Sequence, residues 1–168
     1  MLPFARSNLD KQHIDLIRDR VSSWGKENYR DYPWRDLHDP WLGLLIELLL
    51  QRTNAKQVSR YFEEIVSTLP DPRSVIEAED EVLVPLLAKF GLKRRLKTVR
   101  SIADYLDTKD IYPTDREELA NLYGIGHYTT NAYLSLYMNV RALLVDSNVA
   151  RWLSRLTGSK RPNDVRHS

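Results

Sequence analysis

Apolar residues recur every three to four positions along most of the chain, and strict alternation is weak throughout. That period places side chains on one stripe of a helix rather than one face of a strand. Ile14, Leu16, Ile17, Val21 and Trp24 predict a first helix over Asp10–Glu27. Tyr32-Pro-Trp-Arg35 interrupts it. A second helix is predicted from Pro40 to Arg52, with proline in the first turn, where its missing N–H costs nothing. Thr53 or Asn54 caps a third helix reaching Leu69, which Pro70 and Pro72 end. Glu79–Phe90 and Arg94–Leu106 read as two more, joined at Gly91. A short helix over Asp115–Asn121 precedes Gly124-Ile125-Gly126, after which helix resumes to Met138. Asp146–Leu156 is the last, followed by a polar tail from Gly158. No repeat, low-complexity tract or linker divides the chain. The expectation is an all-α protein, a compact bundle of short helices forming a single domain over residues 1–168.

Composition narrows the possible chemistry. The 168 residues are 42% hydrophobic and 29% charged, an ordinary globular balance with material for one core. There is no cysteine, which excludes disulfides, thiolate catalysis and cysteine-ligated metal or iron–sulfur sites in this chain. The longest apolar run, Trp41–Leu50, is too short to span a bilayer, and Met1–Leu9 lacks the apolar core of a signal peptide. No membrane association and a cytoplasmic location are therefore expected, next to the nucleoid in a prokaryote. Net charge is only +2, but Lys89–Arg100 carries six basic residues and no acidic one. Such a run is either a solvated helix face or a phosphate-contact surface.

The sharpest local feature is Leu122-Tyr-Gly-Ile-Gly-His-Tyr-Thr129, set between two helical patterns. Glycines at 124 and 126 permit a tight turn with positive φ at either position. They also leave backbone N–H groups bare, so that a phosphate can approach closely. The following helix points its positive end at the same place. Ile125 would pin the hairpin to the core. Gripping DNA backbone in this way reads no sequence. The plainer alternative is an ordinary helix–turn–helix connection.

This segment resembles the L-P-G-V-G-x-x-T hairpin of the helix-hairpin-helix (HhH-GPD) base-excision DNA glycosylases, the superfamily of endonuclease III and MutY. Other motifs resemble the family in the same order, from about Tyr32 to about Leu156. Pro33-Trp-Arg35 is similar to the opening of the MutY and thymine-mismatch branch. Asp39-Pro-Trp41 with Glu47 and Gln51-Arg-Thr53 resembles the D-P-Y/W…E-x-x-L-Q-Q-T helix. Phe90-Gly-Leu92 resembles a wedge loop, and Val145-Asp-Ser-Asn-Val-Ala-Arg151 the stretch bearing the catalytic aspartate. Tyr123 stands where the hairpin usually has proline, and Lys93-Arg94-Arg95 where MutY has tyrosines. Family members usually continue through further helices and often an iron–sulfur loop, and the resemblance implies a core lacking both, with no cofactor.

Removing a base from deoxyribose passes through a cationic, oxocarbenium-like sugar, and the base must leave the stack first. The resemblance implies that Asp146 is the catalytic carboxylate, stabilising that cation and orienting water. Its own position equally suits a helix N-cap. Gly43, Glu47 and Gln51 form a small-and-polar stripe at i, i+4, i+8 on an otherwise apolar helix. Lining a cavity, Glu47 would hold its proton and donate it to the departing base. Facing solvent, the stripe would be an amphipathic surface. Strand-cleaving family members carry lysine where this chain has Tyr128, and tyrosine cannot form their Schiff base. The resemblance thus implies a monofunctional enzyme without abasic-site lyase activity. It further implies DNA contacts from Gly124, Ile125, Gly126, His127 and Thr129. Gln51 and Leu92 would fill and wedge the gap left by the flipped base, Arg52 would meet the orphaned partner, and Lys93, Arg94 and Arg95 would meet phosphate.

Tyr128 with Arg52 resembles the glycosylases that act on thymine or uracil opposite guanine, and the resemblance implies that substrate. Adenine opposite guanine or 8-oxoguanine is the alternative, and a catalytically inactive DNA-binding module is another. The expected partner is duplex DNA with a mismatched or damaged base, bound by a monomer, with no metal.

Overall fold

The computed structural model describes residues 10–91 and 95–158. Among them are ten α-helices, one short 3₁₀ turn and no strand, as the apolar period predicts. Among the described residues no helix is long and apolar enough to cross a membrane. Contacts gather the described residues into two compact units: Tyr32–Leu144, and the residues up to Asp31 together with those from Val145.

In the larger unit, a 3₁₀ turn at Pro33–Asp36 leads into α2 (Pro40–Leu50). Asp39 caps α2, accepting the Leu42 N–H at 2.8 Å. Every residue from Trp41 to Leu49 is buried. A helix apolar on all sides belongs at the centre of a bundle, and α2 packs there against α9 (His127–Leu136). The Trp41 indole N–H donates to the Leu69 carbonyl at 3.0 Å, which satisfies its one polar atom. Helix α7 (Leu96–Asp107) shows the amphipathic pattern plainly: Thr98, Val99, Ile102, Ala103 and Leu106 are buried, and its main neighbour is α5 (Pro72–Glu77). α6 (Asp80–Ala88) precedes it, and the short α8 (Arg116–Ala120) follows it and abuts α9.

Two details depart from the sequence expectation. The helix predicted from Asn54 to Leu69 breaks at Tyr61 into α3 (Ala55–Arg60) and α4 (Phe62–Thr68). Tyr61 leaves helical geometry, with its ring edge-on to Phe90 at 5.9 Å and Lys89 above it at 4.7 Å. Tertiary packing outweighs local propensity at that residue. Pro72, expected to end a helix, instead begins α5. Asp71 and Ser74 form a reciprocal capping box over that proline.

The smaller unit pairs α1 (Lys11–Glu27) with α10 (Ser147–Thr157). None of their residues is buried. Leu16, Ile17, Val21 and Trp24 from α1 face Val149 and Trp152 from α10 across an apolar cavity of about 890 Å³. Trp24 is 64% exposed.

Candidate active site

The hairpin sits between α8 and α9. Ile125 is buried, and its N–H donates to Leu122 O at 3.0 Å, so the tip is pinned to the core. The two glycines serve different ends. Gly124 has φ +90°, and a Cβ there would lie 2.4 Å from Thr98 Cγ2 on α7. Both backbone conformation and close packing therefore demand glycine at 124. Gly126 has φ −94°, open to any residue, and a Cβ there would meet nothing within 4 Å. No described residue requires glycine at 126, so what it keeps clear is the outer surface. As N-cap of α9 it offers no side-chain acceptor. The first-turn amides of His127, Tyr128 and Thr129 thus lie at a bare positive helix end.

Gln51, at the C-terminal end of α2, ties this region together. Its amide donates to Gly124 O at 3.0 Å and to Thr129 Oγ1 at 3.1 Å. Its Oε1 accepts from Arg95 Nη1. The side chain proposed to enter DNA is thus engaged with the hairpin. Thr129, 2% exposed, spends its hydroxyl oxygen on that joint. Around it lies an open depression of about 650 Å³, lined by Gln51, Arg52, Arg95, Gly124, Ile125, Gly126, Tyr128 and Thr129. Its charged lining is two arginines and no carboxylate, which suits an anion. His127 is exposed and Tyr128 is 43% exposed. Leu92, Lys93 and Arg94 lie outside the described residues. Elsewhere in the basic run, Lys89 pairs with Glu64 at 2.5 Å. Arg100 donates to the carbonyls of Val75, Ile76 and Ala78 and to Asp80. Those two cations hold helices together and are not presented as a phosphate track.

Glu47 is 6% exposed on α2, so the stripe it shares with Gly43 faces inward and not to solvent. It makes no hydrogen bond or ion pair with another described residue. Desolvation alone raises its carboxyl to about 7. Beside it, at the C-cap of α9, stands Tyr137, whose ring rests on Gly43. Burial pushes the Tyr137 phenol upward, with Glu47, Arg35 and Tyr128 all within electrostatic reach. Sequence reasoning missed Tyr137. Its signal was Gly43 itself, since a glycine inside a helix often marks a close approach.

Asp146 caps α10. Its Oδ1 accepts the N–H groups of Asn148 at 2.9 Å and Val149 at 2.7 Å, and its Oδ2 accepts from Asn148 Nδ2 at 3.1 Å. These bonds, the one from Val149 foremost, hold the carboxyl below its ordinary range. It is a fixed anion at neutral pH. The described residues contain no cluster of His, Asp or Glu arranged to hold a metal.

A family model described as HhH-GPD superfamily base excision DNA repair protein matches residues 45–167. The chain belongs to that superfamily. Among relatives of this HhH-GPD chain, it is 31% identical over 156 residues to the thymine-DNA glycosylase of Aeropyrum pernix. That match takes in 90% of this chain and 70% of the relative. It is 32% identical over 136 residues to the adenine DNA glycosylase of Mycobacterium tuberculosis, covering 79% of this chain and 45% of that one. The fold superposes with a TM-score of 0.80 on a thermostable thymine-DNA glycosylase, at 22% identity, over 88% of this chain and 69% of the other. The HhH-GPD fold is thereby placed, with the glycine hairpin and Glu47 inside the matched span.

Proposed function

We propose that the protein hydrolyses the N-glycosidic bond of thymine or uracil opposite guanine in duplex DNA and leaves the strand intact. The observation that carries this is Glu47, a buried carboxyl that desolvation raises to about 7. A structural role gives no reason to desolvate an acid until it holds its proton near neutrality, whereas a proton donor to a departing base needs that.

In this reading the C1′–N bond stretches first and positive charge grows on the sugar. Asp146, held ionised by its N-cap bonds, stabilises that charge and orients the water. Water oxygen bonds to C1′ as the base leaves. Glu47 donates its proton to the base, and the proton released from water restores the acid. Arg52 meets the orphaned guanine, while Gln51 and Leu92 fill and wedge the gap. The hairpin, with Lys93, Arg94 and Arg95, holds phosphate. The protein acts as a monomer and uses no cofactor. Tyr128, a phenol where a Schiff base would need an amine, limits it to base removal. Borohydride treatment during turnover on a uracil·guanine duplex tests this. The expected result is no covalent protein–DNA adduct and strand breaks only after alkali. A trapped adduct would contradict the reading.

The hairpin makes a second prediction. Gly126→Ala should leave the melting temperature nearly unchanged, because its Cβ meets open space. It should weaken duplex binding about tenfold by blocking one close phosphate approach. Gly124→Ala should instead destabilise the fold by about 1–3 kcal/mol, from strained φ and collision with Thr98. Melting curves and duplex titrations of both variants separate these effects. Equal loss of stability at the two positions would count against it.

A further inference from the structure

A ring laid against a bare helix backbone fills space that no other group can use. The Cβ that Gly43 lacks would lie 2.4 Å from Cδ1 and Cγ of Tyr137 and 2.6 Å from its Cε1. The ring therefore lies on α2, one turn from the Glu47 carboxyl. Its phenol has Glu47, Arg35 and Tyr128 in electrostatic reach. The backbone fixes it there. The Tyr137 N–H donates to Tyr133 O at 3.0 Å, and the Val140 N–H to Leu134 O at 2.8 Å just beyond. Tyr133 is itself fully buried. The Tyr137 backbone is thus anchored at the end of α9.

We propose that Tyr137 is a specificity-determining residue whose ring occupies, beside Glu47, the volume that the second ring of a purine would need, so that only single-ring bases are accepted. This rests on the glycosylase reading above and adds the element that selects the base. Selection by volume suits the problem. A pyrimidine and a purine share polar edges, and a pocket too shallow for two rings rejects the larger without reading either one.

The test uses Tyr137→Ala, Tyr137→Leu and Tyr137→Phe, each checked for a cooperative melt. Tyr137→Leu keeps an apolar plug on Gly43 while shortening the side chain, and so serves if the alanine variant does not fold. The first readout is equilibrium binding to duplexes with thymine or adenine opposite guanine, each with 2′-fluorine on the target sugar. Fluorine disfavours the cationic sugar, so neither duplex is cleaved and the result does not depend on activity. The second readout is single-turnover excision from the unmodified duplexes. The unaltered protein and Tyr137→Phe are expected to prefer thymine equally, since ring volume is what matters. Tyr137→Ala or Tyr137→Leu should shift the adenine-to-thymine binding ratio by about tenfold toward adenine. An unchanged ratio in a folded shortened variant overturns the proposal, as does loss of the thymine preference in Tyr137→Phe. If no duplex is cleaved by any variant while the binding ratio shifts, the catalytic reading fails and the volume filter stands.

Discussion

Asp146→Asn abolishes base release, by about 10²–10³-fold or more in single-turnover rate, while the melting temperature and duplex affinity stay near their original values. The contrast follows from what each atom does. Asparagine retains an oxygen for the N–H groups of Asn148 and Val149, and it caps helices about as well as aspartate. What it removes is the negative charge, which those same bonds hold in place at neutral pH. A residue that was only a cap would lose nothing on this exchange. Asp146→Ala is the less informative variant, because it removes the cap as well and costs about 1 kcal/mol of stability on that account. Rates on a uracil·guanine duplex, with melts and binding isotherms for the same preparation, check the claim. Full activity in the asparagine variant would assign Asp146 to the helix alone.

Glu47→Gln produces the opposite pairing, a slower enzyme that is more stable in alkali. Loss of a positioned acid costs about 10²–10⁴-fold in rate. In the folded protein the carboxyl titrates near 7, against 4.5 for the unperturbed group. Between those values the folded state holds a proton that the unfolded state has released. Stability therefore falls as pH rises from about 4.5, and the loss is complete above about 7. The full difference amounts to about 3 kcal/mol. Glutamine cannot ionise, so the variant's stability gain over the native protein should grow from near zero at pH 4 to about 3 kcal/mol at pH 9. Comparing the two chains cancels every other titrating group. On the proposed mechanism the native excision rate should also fall as pH rises through about 7, because Glu47 would act in its protonated form. Denaturant melts of both proteins across that range, beside the rate profile, provide the measurement. A gain independent of pH would place Glu47 in contact with solvent.

Both expectations draw on residues that the sequence already singled out, and the reason is instructive. Helix α2 announces itself through Asp39-Pro40 at its start and nine successive residues fit for burial, so the one acid among them stands out. Gly124 and Gly126 are visible because only glycine tolerates the demands that a hairpin of this kind makes. The sequence could not say which demand falls on which glycine. That depends on Thr98, twenty-six positions earlier, pressing on Gly124 and on empty space beside Gly126. Asp146 is readable as a cap from local spacing, and its catalytic part comes only through family resemblance.

What escaped the sequence is long-range. The break at Tyr61 follows from Phe90 and Lys89, far along the chain. Arg100 looks like one more cation in a basic run, yet its guanidinium binds the carbonyls at the end of α5. Gln51 reads as a polar residue at a helix end, and nothing local shows that its side chain spans from Gly124 to Arg95. Tyr137 lies outside every motif, and its place on Gly43 is set by how α9 crosses α2.

The most direct test of the whole account is one cleavage panel. Labelled duplexes carrying single thymine·guanine, uracil·guanine, adenine·guanine and adenine·8-oxoguanine pairs are incubated with the protein and divided, half treated with hot alkali. Strand breaks are expected at the thymine and uracil pairs, only after alkali, and none at either adenine. Breaks at adenine would contradict the assigned base, and intact strands throughout, with duplex binding preserved, would contradict catalysis itself.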